Sequence, residues 1–193
     1  GGNNDDELTG SESAETIQGG LGNDVIRGGG GNDTILGGDG DDDIDGQAGD
    51  DFIDAEAGRD LVLGGDGADV LRGGLDADTL EGSAGNDTLV GGFGDDALEG
   101  DQGDDMVLGG EGFDNVRGGA GDDTLDGGAG NDKLLGNGGN DKVRGGHGDD
   151  TIRGDAGNDT IDGQDGHDII DGGDDDDGIT GGDGNDSIDG ADG

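Results

Sequence analysis

Gly91-Gly92-Phe93-Gly94-Asp95-Asp96-Ala97-Leu98-Glu99 has the form G-G-x-G-x-D-x-U-x, where U is a large aliphatic residue. The next nine residues, Gly100 to Leu108, repeat the form, and so do the nine before it. Written in rows of nine from Gly1, the sequence fills twenty-one rows without insertion or deletion, and Gly190 to Gly193 begin another. Column eight is Leu, Ile or Val in all twenty-one rows, from Leu8 and Ile17 to Ile179 and Ile188. Column one is Gly in every row except the seventh, which has Ala55.

Column six is acidic throughout. It holds Asp6, Asp24, Asp33, Asp42, Asp51, Asp60, Asp69, Asp78, Asp87, Asp96, Asp105, Asp114, Asp123, Asp132, Asp141, Asp150, Asp159, Asp168, Asp177 and Asp186, with Glu15 in row two. Column eight lies between mostly polar neighbours, a pattern that predicts a very short strand with one buried side. Columns one to six are rich in Gly, Asn and Asp, which form turns and tolerate positive φ. Each row therefore predicts a six-residue turn followed by a three-residue strand. Column four is Gly in seventeen rows, and its exceptions are Asn4, Ser13, Asp76 and Asp175. Three of these are Asn or Asp, the non-Gly types that best accept a left-handed backbone.

Nine residues cannot bury their own aliphatic side chain, but two rows opposed across a thin core can. Eighteen residues then make one coil, with odd rows in one sheet and even rows in the other. The chain resembles the RTX family, the hemolysin-type calcium-binding nonapeptide repeats. The resemblance spans essentially the whole chain. Its motif is specific because it fixes Gly, Asp and an aliphatic residue together many times over. It implies an all-β fold, a right-handed parallel β-roll solenoid with two short-stranded parallel sheets.

The resemblance also implies calcium between the turns of rows n and n+2. The ligands would be carbonyls of columns two and four and the Asp of row n, with carbonyls of columns one and three and the Asp of row n+2. Carried onto this sequence, one site uses the Gly20 and Gly22 carbonyls, Asp24, the Gly37 and Asp39 carbonyls, and Asp42. All twenty column-six aspartates become metal ligands on this basis. Twenty-one rows make nineteen such pairs, so up to nineteen ions would bring +38 against a chain charge of −44.

Composition agrees with a cationic partner. Asp and Glu number 52 against 8 Lys and Arg, Gly numbers 55, and Pro, Cys, Trp and Tyr are absent. With 25% hydrophobic residues, such a chain is expected to be disordered without metal. Nucleic acid and anionic membranes would be repelled. The longest apolar runs are three residues, such as Leu61-Val62-Leu63, too short for membrane insertion by this segment.

Rival motifs fail. Asp41-Asp42-Asp43-Ile44-Asp45-Gly46 begins like an EF-hand loop, but position twelve is Phe52 where a bidentate Glu is needed. His147 and His167 lie twenty residues apart with no His or Cys partner, so zinc ligation is not expected. Carboxylate pairs on solvent turns without a pocket do not support acid–base catalysis, and the chain is not expected to be an enzyme.

Three rows depart from pattern. Row two, Gly10 to Gln18, has Glu15, which is expected to crowd the gap shared with Asp33. Row seven, Ala55 to Leu63, places Arg59 beside Asp60, and row twenty, Gly172 to Thr180, carries four consecutive acids, Asp174 to Asp177. None is a linker. Residues 1–193 read as a single domain with 1–18 as a degenerate N-terminal cap. Phe52, Val70, Val90, Met106 and Leu108 form an outward apolar streak, either scattered surface residues or a lateral contact with a further domain or another rod.

The function that follows from the resemblance is a calcium-binding module of a secreted, extracellular protein, exported unfolded by type I secretion and folded by calcium outside. Its partner in the same parent chain would be a catalytic, toxin or adhesin domain. The alternative is a structural spacer of an adhesin or surface layer. An ice-binding roll is disfavoured because column three contains no Thr.

Overall fold

The computed structural model describes residues 1–191. Over them the chain forms twenty-one strands, β1 (Glu7–Thr9) to β21 (Ser187–Asp189), numbered in chain order, one per row. There is no helix among the described residues. The odd-numbered strands form one eleven-stranded sheet and the even-numbered strands a ten-stranded sheet. All pairing is parallel, and row n meets row n+2 in register. β10 (Thr88–Phe93) and β12 (Met106–Glu111), for example, align Thr88 with Met106, Leu89 with Val107 and Val90 with Leu108. The expected coil of eighteen residues and the odd–even division both hold, over about ten turns.

The strands are longer than expected. β1, β20 (Gly178–Thr180) and β21 have three residues, but the other eighteen have six. Each long strand takes columns seven to nine of one row and columns one to three of the next. Column one drops out of the ladder, and pairing resumes at columns two and three, as Gly92 with Gly110 and Phe93 with Glu111. Column two has positive φ, 114° at Gly92, so the strand kinks there and the turn proper shrinks to columns four to six. Gln47, Glu56, Ser83, Asp101, Asn137, Asp155 and Gln164 hold this column-two conformation at φ 71–79°. As non-Gly residues they carry a strain of roughly 1 kcal/mol each, which the flanking ladder overrides. In column four, Asp76 and Asp175 are left-handed as expected, at φ 73° and 81°. Asn4 and Ser13 are not, so the first two turns have a different backbone from the rest.

Column eight forms the core. From Ile26 to Ile170 every member is at most 1% exposed, while Leu8, Ile17 and Ile179 pack against it only in part. Each buried side chain contributes about 1.5–3 kcal/mol. Column one is the second inward position, and Ala55 is fully buried there. Gly serves at this column for close approach. A Cβ on Gly91 would overlap both the Asp96 carboxylate and the Gly109 carbonyl of the next coil in the same sheet.

Candidate metal centres in the stacked turns

Two sets of turns line the rod, one from odd rows and one from even rows, each stacked coil on coil. The backbone fixes their spacing. The N–H after each column-six residue donates to the carbonyl of column six one coil earlier, as from Val25 to Asp6 at 2.9 Å and Asp43 to Asp24 at 2.9 Å. The column-six side chain then reaches back along the rod. Asp24 N–H donates to Asp42 Oδ1 at 2.7 Å, Asp42 N–H to Asp60 Oδ1 at 2.8 Å, and Asp96 N–H to Asp114 Oδ1 at 2.9 Å. The series runs unbroken to Asp168 N–H on Asp186 Oδ1 at 3.1 Å.

This leaves the second oxygen of each carboxylate. Seventeen column-six aspartates, Asp24 to Asp168, are 1–3% exposed. Their Oδ2 atoms, and that of Asp177, are buried and have no hydrogen-bond partner. An unpaired, desolvated charge is among the costliest groups a fold can hold. Each Oδ2 lies beside column one of its own row, against the column-one carbonyl of row n+2. The Asp24 Oδ2 and the Gly37 carbonyl meet in the space that a Cβ on Gly19 would fill. From the other side of the same gap the Gly20 and Gly22 carbonyls point at Gly38 and Gly40. The Asp39 carbonyl also faces the gap and accepts the Gly22 N–H at 2.8 Å. For rows three and five the structure thus sets the Asp24 Oδ2 beside the Gly37 carbonyl and the Asp42 Oδ1 on the Asp24 N–H, with the Gly20, Gly22 and Asp39 carbonyls between the same two turns.

The donors are all oxygens, from two carboxylates and several backbone carbonyls, the chemistry of a hard divalent cation such as Ca²⁺. Among the described residues no three His, Cys, Asp or Glu side chains cluster as a conventional metal site would need. Electrostatics agree. Burial pushes Asp60, Asp78, Asp114, Asp123 and Asp150 up to about 7, and Asp51, Asp69, Asp87 and Asp141 up to about 6. The backbone N–H from the preceding coil opposes the rise, and neighbouring carboxylates reinforce it. Asp42, Asp96, Asp105, Asp132, Asp159 and Asp168 move the same way for the same first cause. Burial thus favours the protonated form of these carboxylates, and a cation beside them would offset the same cost.

A profile of the RTX calcium-binding nonapeptide repeat matches residues 1–35, 9–44, 36–71, 72–107, 108–143, 144–179 and 162–193. The chain belongs to this family. No curated protein matches it.

The departures from the RTX pattern have distinct local outcomes. Glu15 N–H donates to Asp33 Oδ1 at 2.7 Å, as an Asp would, but its own carboxylate curls back within row two. It accepts the Ser11 N–H at 2.8 Å and the Ser11 hydroxyl, which hold it below the usual carboxylate range. Ser11 thus tethers the longer side chain, whose Oε2 still lies beside Gly10 and the Gly28 carbonyl, as the Asp24 Oδ2 lies beside Gly19 and the Gly37 carbonyl. Arg59 turns to Asp41 of row five, with N–H to Oδ1 at 3.0 Å and guanidinium to Oδ2 at 3.2 Å. Row twenty keeps the pattern, with Asp159 N–H on Asp177 Oδ1 at 2.9 Å. Asp6, Asp177 and Asp186, near the rod ends, are only half-buried.

Column five is a second ladder that the sequence reading did not anticipate. Its side chains reach forward. Asp95 Oδ1 accepts the Phe113 N–H at 2.9 Å, Asp104 Oδ1 that of Asp122 at 2.9 Å, and Asn140 Oδ1 that of Asn158 at 3.0 Å. The available signal was compositional, since sixteen of twenty-one column-five residues are Asn, Asp or His. His167 belongs to this ladder, its Nδ1 accepting the Asn185 N–H at 2.9 Å. His147 lies 2.8 Å from Asp165 on the surface.

Proposed function

We propose that this chain is a module that folds when calcium fills the gaps between its stacked turns, and that it serves a secreted protein outside the cell. The carrying observation is the column of eighteen buried Asp Oδ2 atoms without partners. In each gap the two column-six aspartates would hold the ion, with carbonyls of columns one, two and four beside them and column three as a further donor. Asp6 to Asp186 are assigned this role, Glu15 being replaced by its contact with Ser11. Bound calcium supplies the positive charge that the column lacks. The chain supplies spacing, exclusion of water and a frame that exists only when successive coils are in register.

A low-calcium cytosol would keep such a chain unfolded and exportable, and calcium-rich surroundings would fold it. Secretion by a type I route and service to a toxin, protease or lipase domain of the same parent chain extend this reading. The unbroken pairing from β1 to β21 favours a second role as a spacer in an adhesin or surface layer. The domain neighbouring the repeats in the full-length protein discriminates the two.

The test is a calcium titration from chelator followed by circular dichroism. A coil spectrum should convert cooperatively to β at about 10⁻⁴–10⁻³ M calcium, and magnesium should act poorly because it demands tight octahedral geometry. A β spectrum that persists at neutral pH in excess chelator would overturn the reading.

A further inference from the structure

The even-row sheet has an outer face unlike the rest of this acidic surface. In column nine, Asp54, Arg72, Val90, Leu108, Asp126 and Arg144 are successive register neighbours. Beside them in column seven run Phe52, Val70, Thr88, Met106, Thr124 and Lys142. Two acids and three bases leave this strip slightly positive on a chain of −44. Its cations also differ in their contacts. On the odd-row face Arg27 pairs with Glu7 at 3.4 Å, Arg117 with Glu99 at 3.3 Å and Arg153 with Asp171 at 3.5 Å. Among the described residues Arg72, Lys142 and Arg144 join no ion pair. The Arg72 guanidinium lies 5.2 Å over the Phe52 ring.

The order of column nine is self-complementary when reversed. Asp54 then meets Arg144, Arg72 meets Asp126, and Val90 meets Leu108. We propose that two copies of this chain pair through their even-row faces, with rods antiparallel, about a two-fold axis lying along the strands between rows ten and twelve. That axis preserves columns and reverses rows, so column nine of one copy covers column nine of the other. Every contact occurs twice, as in any isologous interface. Column seven fits the same operation. Phe52 faces Lys142, Val70 faces Thr124, and Thr88 faces Met106. The centre is apolar and the charges lie toward the rim, the usual interface anatomy. Pairing with parallel rods would instead set Lys142 against Arg144 and leave Asp54 on Phe52.

The face is small. The six strands of rows six to sixteen cover about 29 Å at the spacing of paired strands, and three residues of strand are about 10 Å wide. The pair would bury roughly 600 Å² in all, under the ~1,000 Å² of a stable complex, so dissociation on the order of 0.1–1 mM is expected. The face exists only in the folded rod. The proposal therefore rests on the calcium-folding reading, and circular dichroism in the same buffer separates failure to fold from failure to pair.

Sedimentation equilibrium in saturating calcium at physiological salt should show concentration-dependent dimers. R72D and D126R each set like charges opposite one another twice, and each should weaken association about tenfold or more. The combined R72D/D126R variant should restore it. Within one chain these residues lie three coils apart, about 14 Å, beyond the Debye length of about 8 Å, so rescue has to come from the other copy. D54R with R144D provides the same test at the outer pair if either first variant folds poorly. A folded chain that stays monomeric near millimolar concentration, single variants that associate as well as wild type, or a double variant no better than the singles would each overturn the proposal.

Discussion

Asp95 and Asp96 are neighbours in one turn with the same side chain, yet they belong to two different stacks. Asp96 reaches back to accept the Asp78 N–H at 2.8 Å, and Asp95 reaches forward to accept the Phe113 N–H at 2.9 Å. Asp96 is 2% exposed and its second oxygen has no partner, whereas Asp95 stands in solvent. Each turn is thus stitched in both directions, but only one stitch leaves a naked charge. Hydration separates the roles. The column-five carboxylate clasps the next coil at little electrostatic cost, and on the proposed reading the column-six carboxylate makes the fold depend on a cation.

The largest expected consequence of this difference is a response to acid. The folded pKa of Asp60, Asp78, Asp114, Asp123 and Asp150 is raised from the ordinary 3.8 to about 7. A raised folded pKa favours the fold below the unfolded value and withdraws that support as pH climbs through the folded value. Column five behaves oppositely where it shifts. Hydrogen bonds from Arg59 and Asn140 lower Asp41 and Asp122, so their contribution is lost on acidification. The buried column has many more shifted members and should dominate. Metal-free protein should therefore gain β structure as pH falls from about 8 to about 4, and its calcium midpoint should rise as protons begin to compete between about pH 7 and 6. A coil spectrum unchanged over that range in metal-free protein would mean that the column is not desolvated.

Single substitutions sharpen the contrast through a change of sign. Asp96→Asn keeps an acceptor for the Asp78 N–H and replaces the orphaned anionic oxygen with a neutral amide. The metal-free rod should become more stable by about 1–3 kcal/mol, while stability in calcium falls by a similar amount. Asp95→Asn keeps its acceptor in solvent and should change little in either state. Thermal melts of the two variants with and without calcium read this directly. Parallel behaviour of the two would show that bulk charge governs folding and specific ligation does not.

Much of this was legible in the nine-residue frame. The frame sets the register, the odd–even sheets and the single-file core from Ile26 to Ile170, because one aliphatic residue per row leaves no other inward choice. Strand length was not legible. Gly in column one looks like a turn signal, but it serves close approach to the Asp carboxylate, and the chain resumes pairing at column two. Direction was hidden as well. A periodic pattern records that Asp and Asn recur and does not record which adjacent coil a short side chain reaches. The fate of Glu15 depended on Ser11, a departure in the same row whose N–H and hydroxyl had no role in the pattern.

Row two offers a smaller, local version of the contrast. Its acid is tied to Ser11 with Oε2 beside Gly10 and the Gly28 carbonyl, and its Ser13 does not take the left-handed turn, so the first gap on the even-row side has a tethered Glu in place of one Asp. Amide exchange across Gly1 to Gln18 should remain fast in saturating calcium while rows ten to nineteen are protected. Glu15→Asp should free Ser11, release the carboxylate beside Gly28 from that tether, and slow exchange in rows two and four. Equal protection of row two and the centre in the unaltered chain would show that Glu15 serves as well as Asp.

The smallest expected effect concerns the forward clasp alone. Column five lacks an acceptor in three consecutive rows, at Arg59, Ala68 and Ala77. The turn N–H groups of Ala77, Asn86 and Asp95 one coil later therefore have no column-five side chain to bind. Wherever column five holds Asn, Asp or His the turn N–H one coil later is bound, as Asp104 N–H binds Asn86 Oδ1 at 3.1 Å. Rows seven to eleven should be the first internal segment to open, with row seven, which also carries Ala55 and Glu56, at its start. Ala77→Asn places an amide oxygen where Asp95 N–H can reach it, without adding charge or touching column six. A gain of about 0.5 kcal/mol is expected, since an exposed hydrogen bond replaces one to water. The melting temperature should rise by roughly 1–2 °C. The more telling readout is slower exchange of the Asp95 amide. Ala77→Leu, of similar size to Asn and without the acceptor, should leave that amide as fast as before. If it slows the amide equally, the forward ladder is only a record of packing and the two columns differ less than their geometry suggests.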